Sequence, residues 1–207
     1  MASSPWPTIH AERAALAEDL KPLTDAQWKT PSLATGWSVE DVLAHMTGAT
    51  ELTPPTFFVK LAASGFRFNA MQDKTIAKLT ASGPKETLSH FERQVGSTKH
   101  PPGPVDTWLG ETIVHAEDIR RPLGISHTYP TEALVRLMEL YRKSNTLIGG
   151  KRRSTGLQLV ATDVDQTFGE GPVVSGPLLS LVQAITGRKQ VLDDLSGDGL
   201  ATLRDRA

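Results

Sequence analysis

The chain contains no cysteine among its 207 residues. Disulfide bonds, zinc sites with thiolate ligands and a cysteine nucleophile of the protein's own are therefore excluded. Any thiol chemistry in which this protein takes part has to use a thiol that a second molecule supplies.

Long apolar runs and an excess of charge of one sign are also missing. No run approaches the roughly 18–20 apolar residues that a membrane-spanning helix requires, and residues 1–7 lack the basic and apolar segments of a secretory signal. The 22 basic and 23 acidic residues give a net charge of -1, which provides no electrostatic basis for binding nucleic acid or an anionic membrane. We therefore expect a cytoplasmic protein whose partners are neither nucleic acids nor membranes.

Helical periodicity dominates the first 148 residues or so. Apolar residues recur there at intervals of three and four, and clusters of proline, glycine and serine separate the periodic segments. Ser38, followed by Asp41, has the spacing of a capping box at a helix start, and Gly48 either ends that helix or loosens it. The expected helices cover residues 8–21, 38–48 or beyond, 54–65, 66–79, 84–95, 105–121 and 131–147.

The pattern changes after Gly149 and Gly150. Residues 151–156 are polar and resemble a flexible linker, residues 157–162 and 172–175 have the pattern of strands, and residues 177–186 are helical, with a final short helix after residue 199. The sequence thus predicts two domains, a helical one at 1–148 and a small α+β one at 155–207.

Glu111 and His115 are four residues apart on a predicted helix. Their side chains therefore share one face, with Cβ atoms about 5–6 Å apart. Two imidazoles and a carboxylate suit a divalent metal with open coordination positions if His45, on another helix, faces this pair. The spacing alone is weak, because such a pair is more often a surface contact and a single buried histidine more often bonds to a backbone carbonyl. Ile113 and Val114 favour the metal site, because they imply that one side of the helix is buried.

Asp118 follows His115 by one helical turn. Its carboxylate is placed to accept a hydrogen bond from a ring N–H and so to fix the imidazole tautomer. The alternative is a solvent-facing charge paired with Arg120 or Arg121, and the sequence favours that alternative somewhat.

Arg188 follows Thr186 and Gly187 at the predicted end of a helix. A guanidinium there is placed either to bind an anionic ligand or to cap the helix, which is the commoner role. Arg152 and Arg153, by contrast, have the pattern of a solvated linker.

Three stretches carry motifs of one known family. The first is W-x-x-P-S-x-x-x-x-G-W-S-V-x-D-V-x-x-H from Trp28 to His45, the second is E-x-x-x-H-x-x-D-I-R-R-P-L-G from Glu111 to Gly124, and the third is the region 181–199 with T-G-R and S-G-D-G. Together they resemble the mycothiol-dependent maleylpyruvate isomerase family, within the DinB/YfiT-like superfamily of metal-binding helical bundles.

The resemblance implies a mostly α fold, with an N-terminal DinB-like up-down four-helix bundle and a small C-terminal α+β module similar to sterol-carrier domains. It also implies a divalent metal of the zinc type, held by His45, Glu111 and His115, with water or a cosubstrate at the open position. Arg188 matches a position that is placed to hold a substrate carboxylate.

The cosubstrate that the resemblance implies is mycothiol, the low-molecular-weight thiol of actinobacteria. A metal-bound thiol loses its proton near neutral pH and then adds to a small electrophilic substrate, which leads to isomerisation or to S-transfer. Residues 53–104 carry no motif of the family, so the substrate is not specified, and the chain is expected to be a monomer or homodimer. The alternative is a non-catalytic DinB-like protein that binds a metal or a ligand.

Overall fold

A computed structural model describes residues 3–146 and 148–207. Two compact units divide the chain, one ending at His127 and one comprising Thr128–Ala207. The first unit is helical, and its helices are α1 (Trp6–Leu20), α2 (Asp25–Trp28), α3 (Val39–Glu51), α4 (Pro54–Ala63), α5 (Phe68–Thr80), α6 (Pro84–Gln94) and α7 (Val105–Arg120), followed by a 3-10 turn at Arg121–Leu123.

Four helices of the first unit close into a bundle. Helix α1 packs against α6 and α7, and α3 packs against the same two helices, so that the order around the bundle is α1–α6–α3–α7. Helix α5 packs against α3 and α6. The expected helical-bundle fold is thus confirmed, and its interior includes the buried side chains of Leu16, Ala17, Leu20, Trp28, Val39, Val42, Leu43, Met46, Phe91, Ala116 and Ile119.

Helix α3 begins with the capping box that the sequence predicts. The Oγ atom of Ser38 accepts a hydrogen bond from the backbone N–H of Asp41, and Oδ2 of Asp41 accepts one from the backbone N–H of Ser38, at 3.2 and 2.9 Å. Two N–H groups that the helix itself leaves unbonded are thereby satisfied. The helix continues through Gly48 to Glu51, so the glycine does not end it.

The segment before α3 folds back on itself and is anchored to α7. The backbone N–H and the Oγ of Ser32 both donate to the carbonyl of Trp37, at 2.9 and 2.8 Å, and Gly36 supplies the positive φ of +84° that the turn requires. The N–H of Leu33 donates to the carbonyl of Asp118 at 3.1 Å. These bonds fix the position of the Trp37 ring at the start of α3.

The second unit combines helices with a three-stranded sheet, which confirms the expected α+β character. Strand β1 lies in the centre, antiparallel to β2 and parallel to β3, and α10 packs on β1, β3 and α8. The elements are α8 (Thr131–Tyr141), α9 (Gly150–Ser154), β1 (Gln158–Ala161), β2 (Thr167–Phe168), β3 (Val173–Gly176), α10 (Leu178–Ile185), a 3-10 helix at Lys189–Asp194 and α11 (Leu200–Arg206).

The second unit differs from the expectation in three ways. The division between units falls after His127 and not near residue 148, because α8 packs against α10. Residues 151–154 form part of α9 where a flexible linker was expected. Helix α8 ends at Tyr141, six residues before the expected end at Leu147, which lies outside the described residues.

Hydropathy and helix length bear on membranes as well. No helix within the described residues combines the length and the apolar character that crossing a membrane requires.

Candidate metal centre

Three side chains from two neighbouring helices converge on one point of the first unit. His45 comes from α3, and Glu111 and His115 come from successive turns of α7. One ligand atom of each lies within 4.8 Å of the other two. The Nε2 atom of His45 is 2.6 Å from Oε1 of Glu111, and Nε2 of His115 is 3.7 Å from Oε2 of the same carboxylate. A histidine more than sixty residues away in sequence thus faces the pair that the helical spacing brings together.

The protonation of His115 suits a metal ligand. Its Nδ1 atom lies 2.8 Å from Oδ2 of Asp118, whose side chain has no exposed surface. An ionised carboxylate can only accept, so Nδ1 carries the proton and Nε2 keeps the lone pair that faces Glu111. Metal-bound histidines are commonly oriented by such a carboxylate on the other ring nitrogen. The donor set therefore fits a divalent cation, and Asp118 is buried against His115 and is not the solvent-facing charge that the sequence favoured.

Aromatic rings border this group. The ring centroid of Trp37 lies 4.8 Å from that of His45 and 6.3 Å from that of His115. The two imidazoles are themselves 5.0 Å apart and nearly perpendicular, at 75°. Because the Trp37 ring contacts both imidazoles, it restricts their rotation and covers one side of the group, whereas Trp28 lies in the bundle interior.

Two other histidines of this unit each pair with a glutamate carboxylate. His90 contacts Glu51 and His127 contacts Glu12, each with Nε2 and a carboxylate oxygen 2.7 Å apart. Across residues 3–146 and 148–207, His45, Glu111 and His115 form the one group of three His, Asp or Glu donors with this convergence. The histidine–carboxylate pairs are thus common here, and the third donor distinguishes the candidate metal centre.

This chain is similar to one protein family in sequence and to two solved structures in fold. Residues 9–100 match the family model described as the mycothiol maleylpyruvate isomerase N-terminal domain. Most of the first unit therefore matches this domain family. No curated protein sequence matches the chain significantly.

Two solved structures resemble the whole chain. One is the crystal structure of a mycothiol-dependent maleylpyruvate isomerase, with a TM-score of 0.64 and 18% identity over 93% of this chain and 91% of that one. The other is a histidine-to-alanine mutant of a mycothiol-dependent maleylpyruvate isomerase, with a TM-score of 0.63 and 17% identity over the same shares. At this level of sequence identity, the structural similarity shows that the chains share a fold.

The maleylpyruvate isomerase family model covers His45 but ends before α7. Glu111, His115 and Asp118 therefore lie outside the matched residues, and their relation to His45 rests on the geometry of this structure. The sequence signals for them were their spacing of four and three residues within α7 and the E-x-x-x-H-x-x-D motif.

One charged residue near this group has no clear signal in the sequence. Arg13 of α1 lies in the polar stripe of its helix, yet it is 4% exposed, and its Nη1 donates to the carbonyl of Ser97 at 2.9 Å. Burial lowers the pKa of Arg13 to about 10, and the negative charge of Glu111 partly opposes that shift. The guanidinium therefore contributes positive charge close to the Glu111 carboxylate.

Arg188 lies in the second unit, outside the residues that the family model matches. It follows α10 and is partly buried, and its Nη1 donates to the carbonyl of Thr186 at 3.1 Å. The guanidinium thus folds back toward the last turn of the preceding helix, which agrees with helix capping and leaves binding of a carboxylate as a prediction.

Proposed function

We propose that this protein is a metal-dependent enzyme that uses mycothiol to isomerise a small electrophilic substrate of the maleylpyruvate type. The observation that carries the proposal is the convergence of His45, Glu111 and His115 on two neighbouring helices. It is supported by the match of residues 9–100 to the model of the mycothiol maleylpyruvate isomerase N-terminal domain. Transfer of the thiol to the substrate is the variant of this reaction in which the adduct is released.

The residues of the chain have separate roles in this proposal. His45 and His115 supply imidazole nitrogens and Glu111 supplies a carboxylate oxygen to one divalent cation, for which zinc is the best candidate, since zinc accepts both ligand types and commonly leaves a coordination position open in catalytic sites. The cation would lower the pKa of a bound thiol, so that the thiolate is available near neutral pH. Asp118 keeps the proton of His115 on Nδ1, and Trp37 limits the entry of water from its side.

Because the chain has no cysteine, the sulfur nucleophile in this proposal comes from the cosubstrate. That nucleophile is the thiol group of mycothiol. Its sulfur forms a bond to one carbon of a conjugated double bond, whose electron pair moves onto the neighbouring carbonyl group. Rotation about the resulting single bond, return of the electron pair and departure of the sulfur give the geometric isomer and regenerate the thiolate, with no net oxidation.

Arg188 is proposed to bind a carboxylate of the substrate. A guanidinium offers two parallel N–H groups to a carboxylate, which gives directional as well as electrostatic binding. The support for this role is the position of Arg188 in the T-G-R motif and its partial exposure.

A turnover assay on the metal-loaded full chain tests the proposal. Maleylpyruvate with mycothiol should be converted to its trans isomer or to a thiol adduct, as followed by absorbance and chromatography, and omission of mycothiol should abolish conversion. Glu111→Gln should lose the activity, whereas Glu51→Gln, which alters the comparable pair with His90, should keep it. Stoichiometric metal without thiol-dependent conversion would favour a non-catalytic metal-binding protein instead.

A further inference from the structure

The large apolar side chains that are exposed to solvent lie together in one short segment. Within the described residues they are Phe58, Val59, Phe66 and Phe68, with 57%, 69%, 77% and 48% of their surface exposed. All four fall in α4, in the turn after it or at the first position of α5, and α4 has no buried residue at all. Single exposed apolar residues are ordinary, whereas a cluster of them marks a surface that contacts another molecule.

Ring contacts join the phenylalanines of this segment into one surface. The ring centroid of Phe57 lies 5.4 Å from that of Phe58 and 6.2 Å from that of Phe68. The intervening turn holds Phe66 in the left-handed conformation, with φ of +58°. A bulky residue rarely adopts this conformation, and burial in a core does not offset the strain here, because the ring is exposed. We call residues 54–68 the aromatic hairpin.

The charges of the aromatic hairpin all have one sign. Lys60 and Arg67 are both exposed, and no Asp or Glu occurs between Leu52 and Gln72. The described part of the chain gives neither cation an ion-pair partner. The chain as a whole has a net charge of -1, so the composition does not reveal this local excess of positive charge.

Exposed apolar rings flanked by cations suit the surface of an anionic membrane. The boundary between lipid head groups and acyl chains accepts apolar side chains, while lysine and arginine are attracted to the anionic lipids. A second copy of this chain fits less well. In a symmetric dimer the same patch meets itself, so Lys60 and Arg67 would lie near their own copies, with no carboxylate of the hairpin to pair with them.

We propose that the aromatic hairpin docks this protein onto a membrane surface that contains anionic phospholipid, with its phenylalanine rings at the level of the head groups. Docking of this kind requires no helix that spans the bilayer. The net charge of the chain does not oppose it, because screening limits the attraction to about 8–10 Å from each charge. The proposal does not depend on the metal centre or on the reaction proposed above.

Sedimentation with lipid vesicles tests the proposal on the full chain. Vesicles of equal parts phosphatidylcholine and phosphatidylglycerol should bind the protein, and vesicles of phosphatidylcholine alone should bind it far more weakly. Joint replacement by Lys60→Gln and Arg67→Gln should weaken binding to the anionic vesicles by more than about tenfold, since each cation contributes about fivefold. Joint replacement by Phe58→Ser and Phe66→Ser should weaken it by at least about tenfold, because apolar surface no longer leaves water. Equal binding to both kinds of vesicle would overturn the proposal.

The joint replacement by Lys85→Gln and Lys99→Gln is the matched control. Both lysines are exposed, belong to the first unit and lie outside the aromatic hairpin, and their loss changes the net charge equally. This control should alter vesicle binding by less than about twofold, as expected of screened charges away from the contact. Equal weakening by the two pairs of charge replacements would overturn the proposal, because it would reduce the effect to net charge.

The absence of cysteine allows the docked face to be located directly, even if the phenylalanine variant fails to fold. Ala63→Cys on α4 and Ala26→Cys on α2 each introduce one thiol at an exposed position, to which an environment-sensitive fluorophore is attached. On the anionic vesicles the emission should shift to the blue for the label at position 63 and stay unchanged for the label at position 26. A shift at both positions or at neither would overturn the proposal.

Sedimentation equilibrium without lipid separates docking on a membrane from self-association. The unaltered protein should have the same mass as the variant with Phe58→Ser and Phe66→Ser. A dimer of the unaltered protein that is lost in this variant, together with no binding to vesicles, would overturn the proposal and assign the aromatic hairpin to an interface between copies. Because the metal centre is not involved, the thiol-dependent turnover assay decides the proposed function whichever result is found.

Discussion

The Nδ1 atom of His115 lies 2.8 Å from Oδ2 of Asp118, and the Asp118 side chain is completely buried. Both residues belong to α7, one turn apart. The buried carboxylate fixes the imidazole so that Nε2 faces Glu111, and the orientation of a ligand atom is thus decided within a single helix. Whether that atom meets a second imidazole depends on α3, which supplies His45.

Replacing Asp118 by Asn should weaken metal binding without abolishing it. The amide has nearly the same shape but lacks the charge that holds the ring proton on Nδ1, and loss of such a supporting carboxylate typically costs about 10–100-fold in metal affinity. Competition with a fluorescent zinc chelator measures the change. An affinity equal to that of the unaltered protein would contradict the role assigned to Asp118.

Loss of an imidazole from the candidate centre should remove the metal. His45→Ala leaves two of three donors, so the purified protein should contain far less than one equivalent of divalent ion by elemental analysis. His90→Ala is the control, because His90 also pairs with a glutamate, yet the described residues place no third His, Asp or Glu donor beside that pair. Equal metal contents in the two variants would argue against the centre.

Gly48→Ala should destabilise the first unit. A Cβ atom at Gly48 would lie 2.6 Å from Cγ2 of Thr75 on α5, and that branched side chain has little freedom, because its Oγ1 bonds to the carbonyl of Met71 at 2.9 Å. Overpacking costs about 1–3 kcal/mol, which the higher helix propensity of alanine offsets by up to about 1 kcal/mol. Urea unfolding followed by tryptophan fluorescence measures this, because all four tryptophans precede His127.

The double variant with Thr75→Ser separates packing from other effects. Serine keeps the hydroxyl but lacks Cγ2, so Gly48→Ala should become neutral or stabilising in that background. A destabilisation of the same size in both backgrounds would mean that the close approach of α3 and α5 is not its cause.

Glu40 should make the first unit less stable as the pH rises. Burial raises the pKa of Glu40 above its ordinary value of 4.5, and Asp41 adds to this, while the hydrogen bond from Thr87 and the charge of Lys29 oppose it. The folded protein therefore binds the proton more tightly than the unfolded chain does. The contribution of Glu40 to the free energy of unfolding is therefore fully present below pH 4.5, and it is lost as the pH rises through the folded-state pKa of Glu40.

The comparison of Glu40→Gln with the unaltered protein checks the direction of this pH dependence. The two should melt at similar temperatures below pH 4.5, and the variant should become the more stable one as the pH rises, since it has no charge to bury. Exposed Glu132, changed to Gln, serves as the control for the loss of one negative charge. A variant that loses stability relative to the unaltered protein on going to pH 7 would contradict the expectation.

The family resemblance and the local sequence predicted much of this molecule. The capping box at Ser38 and Asp41 depends on residues three apart, and the common face of Glu111 and His115 depends on the helical repeat. Both are determined within one turn of helix, so the sequence was sufficient. The same reasoning failed for residues 151–154, because the short helix α9 is held in part by the hydrogen bond from Arg153 to the carbonyl of Ile185, which is 32 residues away.

The sequence by itself determined most of the helices, the absence of a protein thiol and two members of the candidate centre. Only the tertiary structure decided that His45 meets that pair, that Asp118 is buried against His115, and that Gly48 is required by the approach of α5. The physical reason is the range of the interactions. Hydrogen bonds and side-chain spacing within a helix act over three or four residues, whereas the packing of α3 on α5 and α7 joins residues that are tens of positions apart and depends on the whole bundle closing around its core.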